Sequence, residues 1–221
     1  MDSISTYRIL TYVLLIFMAL SFSSCQPEYI EDETEVYFNN FSNFDLTGIS
    51  GASVWNFDSR NMIGPFNNDG FDLVLQNLPE HRYIIVNFDL YIHDSWDGNG
   101  FEPDGEDTWT ISLDDKLVFE TSFSNSPCEP PYCLQQSYPN AHLSYNFPRT
   151  GAVRRNIRGR CHQVNNANGT SLYRVEKRFG HAASMFHLSF RDQLTQPNSP
   201  NPLCDESWSL TNIRIRTVSI R

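Results

Sequence analysis

Apolar and polar residues alternate with a period of two along most of this chain. In RYIIVNFDLYI, Ile84, Val86, Phe88, Leu90 and Ile92 take the even positions, while Asn87, Asp89 and then His93 take odd ones. That is the pattern of a strand with one face buried. FDLVLQNL repeats it through Phe71, Leu73 and Leu75, TWTISLDD through Trp109, Ile111 and Leu113, and MFHLSF through Phe186, Leu188 and Phe190. KLVFETSF follows the pair Asp114-Asp115, which predicts a hairpin. WSLTNIRIRTVSI predicts a long final strand, and the links GPFNNDG, NNANGT and TQPNSPNP are rich in turn formers. No stretch carries a convincing amphipathic helix. Many strands, long loops and no helical crossovers predict an all-β fold. The expected form is an antiparallel β-sandwich of the jelly-roll, galactose-binding or lectin-like kind.

The N-terminus departs from this pattern. Arg8 precedes the apolar run ILTYVLLIFMAL, which ends in SFSSC. The run is short for a bilayer span and reads as the core of an export signal. A Cys after two small residues resembles the cleavage site of a bacterial lipoprotein, with Cys25 as the lipidated first residue. Phe22 departs from that pattern, where Leu is usual. A plainly cleaved signal peptide and a retained anchor are the alternatives. The acidic QPEYIEDETE reads as a tether and is similar to the export tags of surface lipoproteins in Bacteroidota. The expected organisation is a signal peptide at 1–24, an acidic tether at 25–35 and one β-sandwich domain at 36–221. The protein is then exported to the outer membrane or cell surface and touches the membrane through its lipid anchor only.

Composition narrows the partners. With 16 Lys and Arg against 26 Asp and Glu, the 221-residue chain carries a formal charge of −10. Nucleic-acid binding depends on cation-rich faces, so this balance argues against it. Export also bears on the cysteines. Setting Cys25 aside leaves Cys128, Cys133, Cys161 and Cys204, an even number that reads as two disulfides in an oxidising compartment. Three pairings exist. Cys128 and Cys133 flank the turn-forming EPPY, so the pairing expected is Cys128–Cys133 with Cys161–Cys204. A four-Cys zinc site lacks the paired CxxC knuckles it prefers.

The stretch DSWDGNGFEPDGED holds Asp94, Asp97, Glu102, Asp104, Glu106 and Asp107 with no Lys or Arg. Asp94 continues the inward parity of Ile92 and so leaves its strand at the rim of the sandwich. Far downstream, CDESWSL brings Asp205 and Glu206 to Trp208 at the start of the last strand. Loops from distant strands cluster at the ends of a sandwich, so the two acidic loops can meet. Carboxylates brought close together must be protonated, matched by a cation or left in solvent. Ca²⁺ accepts six to eight oxygens in a tolerant geometry. Asp94, Asp97, Asn99, Asp107, Asp205 and Glu206 are the candidate ligands of one structural Ca²⁺, with Gly98, Gly100 and Gly105 turning the backbone toward it. Trp96, Trp109 and Trp208 are expected to wall this site and the core. The spacing is not that of an EF-hand. The competing reading is a solvated acidic loop paired with the arginines between Arg149 and Arg178.

FDLYIHDSWDGN, GEDTW, TSFSN, QQSYP, FPRTGA and CDESWSLTNIRI occur in that order. Together they resemble a β-sandwich domain that recurs, mostly uncharacterised, in secreted and surface proteins of bacteria. The resemblance spans about Val36 to Ile220 and implies a jelly-roll with a structural Ca²⁺; it implies no activity. CEPPYC, the Cys161 loop and Ser209, where a Gly commonly follows the Trp, depart from that pattern.

Catalysis has weaker support. Glu102 or Glu106 could pair with Glu206 for glycoside hydrolysis or a lyase reaction, but so many acids make such a pair expected by chance. There is no G-x-S-x-G, and the six histidines show no metal-binding spacing. His187 reads as an exposed strand residue. A binding module is the better reading, with Trp55, Tyr132, Tyr138, Tyr145 and Arg149 as candidate ligand-binding residues for an extracellular glycan. A structural adhesion protein that meets a surface protein is the third class.

Overall fold

The computed structural model describes residues 30–100, 105–129, 132–197 and 199–220. The expected signal peptide, Cys25, Glu102 and Asp104 lie outside the described residues.

Two antiparallel sheets pack face to face. The larger contains β1 (Ile30–Asn39), β3 (Val54–Phe57), β4 (Arg60–Phe66), β6 (Tyr83–Asp94), β11 (Arg154–Ile157), β12 (Thr170–Gly180) and β14 (Glu206–Ile220). Its order is β11-β12-β6-β14-β4-β3, and β1 pairs with the distal half of β14. The smaller contains β2 (Ile49–Ser50), β5 (Gly70–Gln76), β7 (Thr108–Leu113), β8 (Lys116–Ser122) and β13 (Met185–Gln193), in the order β2-β5-β13-β7-β8. A separate ribbon pairs β9 (Cys128–Glu129) with β10 (Tyr132–Cys133). Among the described residues the helical content is α1 (Pro202–Asp205), a single turn before β14. The antiparallel β-sandwich is thus as the alternation predicts. Both expected disulfides form, Cys128–Cys133 and Cys161–Cys204.

The core is what the parity requires. Ile84, Val86, Phe88, Leu90 and Ile92 of β6 are buried against Phe71 and Leu73 of β5, Trp109 and Ile111 of β7, and Phe186, Leu188 and Phe190 of β13. Phe71 stacks on Phe190 at 4.7 Å, and Trp109 meets Trp208 edge-on at 5.7 Å. Each such ring contributes on the order of 2 kcal/mol by leaving water. Asp114 (φ 49°) and Asp115 (φ 62°) make the β7–β8 turn. A two-residue hairpin needs two left-handed residues, and Asp adopts that region more readily than most.

Three departures have physical causes. Residues 30–35, expected as tether, belong to β1; Glu33 and Glu35 meet Arg216 and Arg214 of β14, so their charge is matched across strands. β12 lies beside β6 over eleven residue pairs, yet its pattern is obscured by Lys177 at core parity. The ammonium of Lys177 escapes to the sandwich edge over the ring of Phe119, 3.5 Å from its centroid. Finally, the outer face of the larger sheet is dry at one end. Tyr91 and His93, at odd positions, are fully buried beneath Trp55 and Phe57 of β3, with Met62, Ile157 and Leu172 beside Tyr91. The His93 ring nitrogens reach Thr170 Oγ1 and Ser209 Oγ, both at 3.1 Å. Burial holds its pKa well below the usual histidine value, so the ring is neutral.

Candidate functional site

The two acidic loops do meet at one end of the sandwich. Ser95 donates its N–H to the carbonyl of Asp205 at 3.0 Å, and Trp96 Nε1 donates to the carbonyl of Ser207 at 2.9 Å. Asp107 Oδ2 accepts the backbone N–H of Asp97 at 2.5 Å, and Asp107 donates its own N–H to Gly98 at 2.8 Å. Gly98 is left-handed (φ +68°), and a Cβ there would lie 2.3 Å from the carbonyl of Gln135, so the turn needs glycine. A cavity of about 360 Å³ opens at this junction, walled by Ser95, Asp97, Gln196, Asp205 and Glu206 among others.

Two carboxylates at this junction are unusually buried. Asp107 and Glu206 are 1% and 3% exposed. Desolvation, with the charge of Asp97, pushes Asp107 up to about 7. Desolvation, with the charges of Asp107 and Asp97, pushes Glu206 up to about 10. Glu206 Oε2 is buried with no hydrogen-bond partner. Such an oxygen costs free energy unless a proton or a cation serves it. Asp97 Oδ1 accepts from Ser126 at 2.8 Å, and Asp205 Oδ1 accepts from Ser95 at 2.8 Å. Among the described residues, no three His, Cys, Asp or Glu side chains are already gathered closely enough to hold a metal ion.

Two of the six candidate ligands are elsewhere. Asp94 turns out of its strand through a left-handed backbone (φ 63°). Its carboxylate accepts the N–H groups of Cys161 at 3.2 Å and Gln163 at 2.9 Å, so it orders the disulfide-bonded loop. Strand parity could not show this, because the left-handed residue reverses the side-chain direction. Asn99 Oδ1 is taken by the hydroxyls of Ser122 and Ser137, and its Nδ2 donates to Ser144 at 2.8 Å. The three tryptophans are fully buried. Glu106 is turned to His142 Nε2 at 3.2 Å.

The candidate ligand-binding residues do not assemble into one site. Tyr138 is core, stacked on Phe123 at 4.9 Å and edge-on to Tyr173 at 5.0 Å. The guanidinium of Arg149 donates to the carbonyls of Asn125 at 2.5 Å and Asn168 at 2.8 Å, which makes it a loop brace. Trp55 is half-buried over His93. Tyr132, in β10, and Tyr145 are both exposed. Turn-rich segments put aromatics near the surface but do not decide which of them pack beneath loops.

The sequence reading missed the open half of the outer sheet face. There Phe38, Asn87, Asp89, Arg174, Asn212, Arg214 and Arg216 wall a groove of about 480 Å³. Phe38 is 46% exposed, with the guanidinium of Arg214 4.7 Å from its centroid. Asp89 is held by Arg174 Nε at 3.2 Å and Asn212 Nδ2 at 2.8 Å, and Asn87 by Arg216 at 2.8 Å. A second cavity of about 360 Å³, lined by Asn40, Arg60, Asn61 and Thr211, shares Asn212 with it. The available signal was parity: Asn87 and Asp89 are polar at outward positions of the central strand, and RIRIR-like alternation continues in β14.

No protein-family model and no curated protein matches this sequence. Among solved structures, the chain is similar to the K3 cleaved adhesin domain of Lys-gingipain from Porphyromonas gingivalis, at 10% identity, TM-score 0.40, and 82% and 99% of the two chains covered. It is also similar to a carbohydrate-binding module with specific mannan recognition, at 8% identity, TM-score 0.38, and 87% and 99% covered. A third is the C-terminal carbohydrate-binding module of a marine laminarinase from Zobellia galactanivorans, at 10% identity, TM-score 0.36, and 84% and 99% covered.

Proposed function

We propose that this protein is a non-catalytic extracellular recognition module that takes a glycan across the open face of its larger sheet and holds one structural Ca²⁺ in the acidic pocket. The groove at Phe38 carries the reading. It joins an exposed ring to a set of planar amide, carboxylate and guanidinium groups fixed by one another. Sugars need that combination, because a pyranose offers C–H faces to an aromatic ring and hydroxyls to preset donors and acceptors. Asn212 borders both this groove and the second cavity, so the two lie side by side on this face.

Calcium is supported by the chemistry of the donors. Asp97, Asp107 and Glu206 offer hard oxygens, and the orphaned Glu206 Oε2 lacks any other partner. Asp205 borders the same cavity. The ion would offset the repulsion of the carboxylates and tie β14 to the acidic loop. Export and lipidation at Cys25 would place the module on the outer surface of the cell.

One feature favours a hydrolase or lyase: a carboxyl whose pKa is raised by burial and by neighbouring carboxylates, as that of Glu206 is, suits a general acid. Its near-complete burial removes it from a sugar's reach, which favours recognition. A glycan array followed by titration calorimetry tests the proposal. A binding glycan whose affinity falls about tenfold on Phe38→Ala, near the 1.4 kcal/mol that such ring contacts supply, supports it. Turnover of any polysaccharide, or no binding across neutral and acidic glycans, rejects it.

A further inference from the structure

A second cleft lies at the other end of the same sheet face, with different chemistry. It is about 470 Å³ and is formed by the end of β3 and its turn (Phe57, Asp58) and by the end of β11 and the segment that follows it (Ile157, Arg158, Arg160, Val164). Residues 57–60 and 154–160 contain Arg60, Arg154, Arg155, Arg158 and Arg160 against the single acid Asp58. In a chain of net charge −10 this is a local inversion of sign. Asp58 offsets one of these five charges, through its ion pair with Arg154 Nη1 at 3.1 Å. Arg158 is exposed and has no ion-pair or hydrogen-bond partner among the described residues. Arg160 spends Nε on Ser207 Oγ at 3.0 Å and one terminal nitrogen on the carbonyl of Leu203, and the nearby Asp94 carboxylate partly offsets its charge.

The cleft is also built to stay in place. Asp94 holds the backbone of Cys161 and Gln163, and the Cys161–Cys204 disulfide ties the segment to α1. Gly159 lets the chain fold tightly on itself, since a Cβ there would lie 2.3 Å from the carbonyl of Gln163. A fixed backbone leaves only the Arg158 side chain to be ordered when an anion arrives.

We infer that this cleft binds an anionic sugar, one bearing a carboxylate or a sulfate ester, at a site separate from the Phe38 groove. The guanidinium fork of Arg158 matches two oxygens of either anion. Phe57 and Val164 supply apolar surface for the ring that carries it. A bare anion would use the charge and leave that surface unused.

The test uses the exported full chain with trigalacturonate, a sulfated chondroitin disaccharide, inorganic sulfate and neutral cellotriose, followed by calorimetry and by NMR shift mapping. The inference expects one or both acidic sugars to bind, to weaken at least tenfold in Arg158→Ala, to recover partly in Arg158→Lys and to weaken as salt rises. Binding to trigalacturonate alone identifies the carboxylate as the recognised group; binding to the sulfated disaccharide alone identifies the sulfate. Inorganic sulfate competing at the same concentration as the sugars overturns it in favour of an adventitious ion only. So does acidic-sugar binding that Arg158→Ala leaves intact. Phe38→Ala serves as the separate probe of the groove: its loss of binding with Arg158→Ala unaffected would keep the Phe38 reading and remove this one.

Discussion

Raising the pH should destabilise the metal-free protein, and calcium should reverse the effect. Asp107 is pushed up to about 7 by burial and by Asp97, against an unperturbed value of 3.8. A carboxyl whose pKa is higher when folded than when unfolded binds protons preferentially in the folded state. Its stabilising contribution is therefore present below the unfolded value and is lost as pH rises through the folded one. A shift of about three units at 1.36 kcal/mol each removes about 4 kcal/mol between pH 4 and 7. Glu206, pushed up to about 10, extends the loss above neutrality. Calcium binds the ionised carboxylates, so its gain should grow over the same window and reach about 3 kcal/mol at a hundredfold excess over its dissociation constant. Urea denaturation of stripped and calcium-loaded protein at pH 5, 6.5 and 8 measures both trends. Glu206→Gln should flatten the pH slope and abolish the calcium gain, whereas Asp114→Ala in the β7–β8 turn should change neither. Metal-free stability that is flat or rises from pH 5 to 8 would refute the buried-carboxylate account. A calcium gain that survives Glu206→Gln would refute the assignment of the ion to this pocket.

Three further outcomes can be checked. Asp94→Ala should strand the N–H groups of Cys161 and Gln163 and cost about 2–4 kcal/mol, read as a lower thermal midpoint, while the calcium gain persists because Asp94 lies off the pocket. Cys161→Ser with Cys204→Ser opens a connection of 43 residues and should cost about 4 kcal/mol on the chain-entropy account; an unchanged denaturation midpoint rejects it. Cys25→Ala should release the protein from membranes or block its processing, and unchanged fractionation together with unchanged acyl labelling would rule out lipidation.

Much of the fold was legible because strand burial imposes a period of two. The even positions of β6, the Asp114-Asp115 turn and the long β14 followed directly from the residue order. So did the approach of Asp97 and Asp107 to Asp205 and Glu206, since strands with fixed parity deliver their loops to known ends of a sandwich. Parity fails where one residue leaves the regular backbone. Asp94 does so through a positive φ, which redirected its carboxylate from the shared pocket to the Cys161 loop. Parity also cannot tell which outward face stays wet. Tyr91 and His93 occupy outward positions like Asn87 and Asp89, yet the β3–β4 hairpin and β11 cover the first pair, while the second lines a polar groove in which Arg174 and Asn212 lie over Asp89. The sequence by itself determined the alternating strands of the two sheets, the expectation of two disulfides and the meeting of the acidic loops, because each rests on local alternation or on a few chemically distinctive residues. The tertiary structure alone decided the groove at Phe38, the cationic cleft at Arg158 and the burial of Tyr138. Each of these depends on which distant strand or loop lands on a given face, and no local pattern of side chains records that.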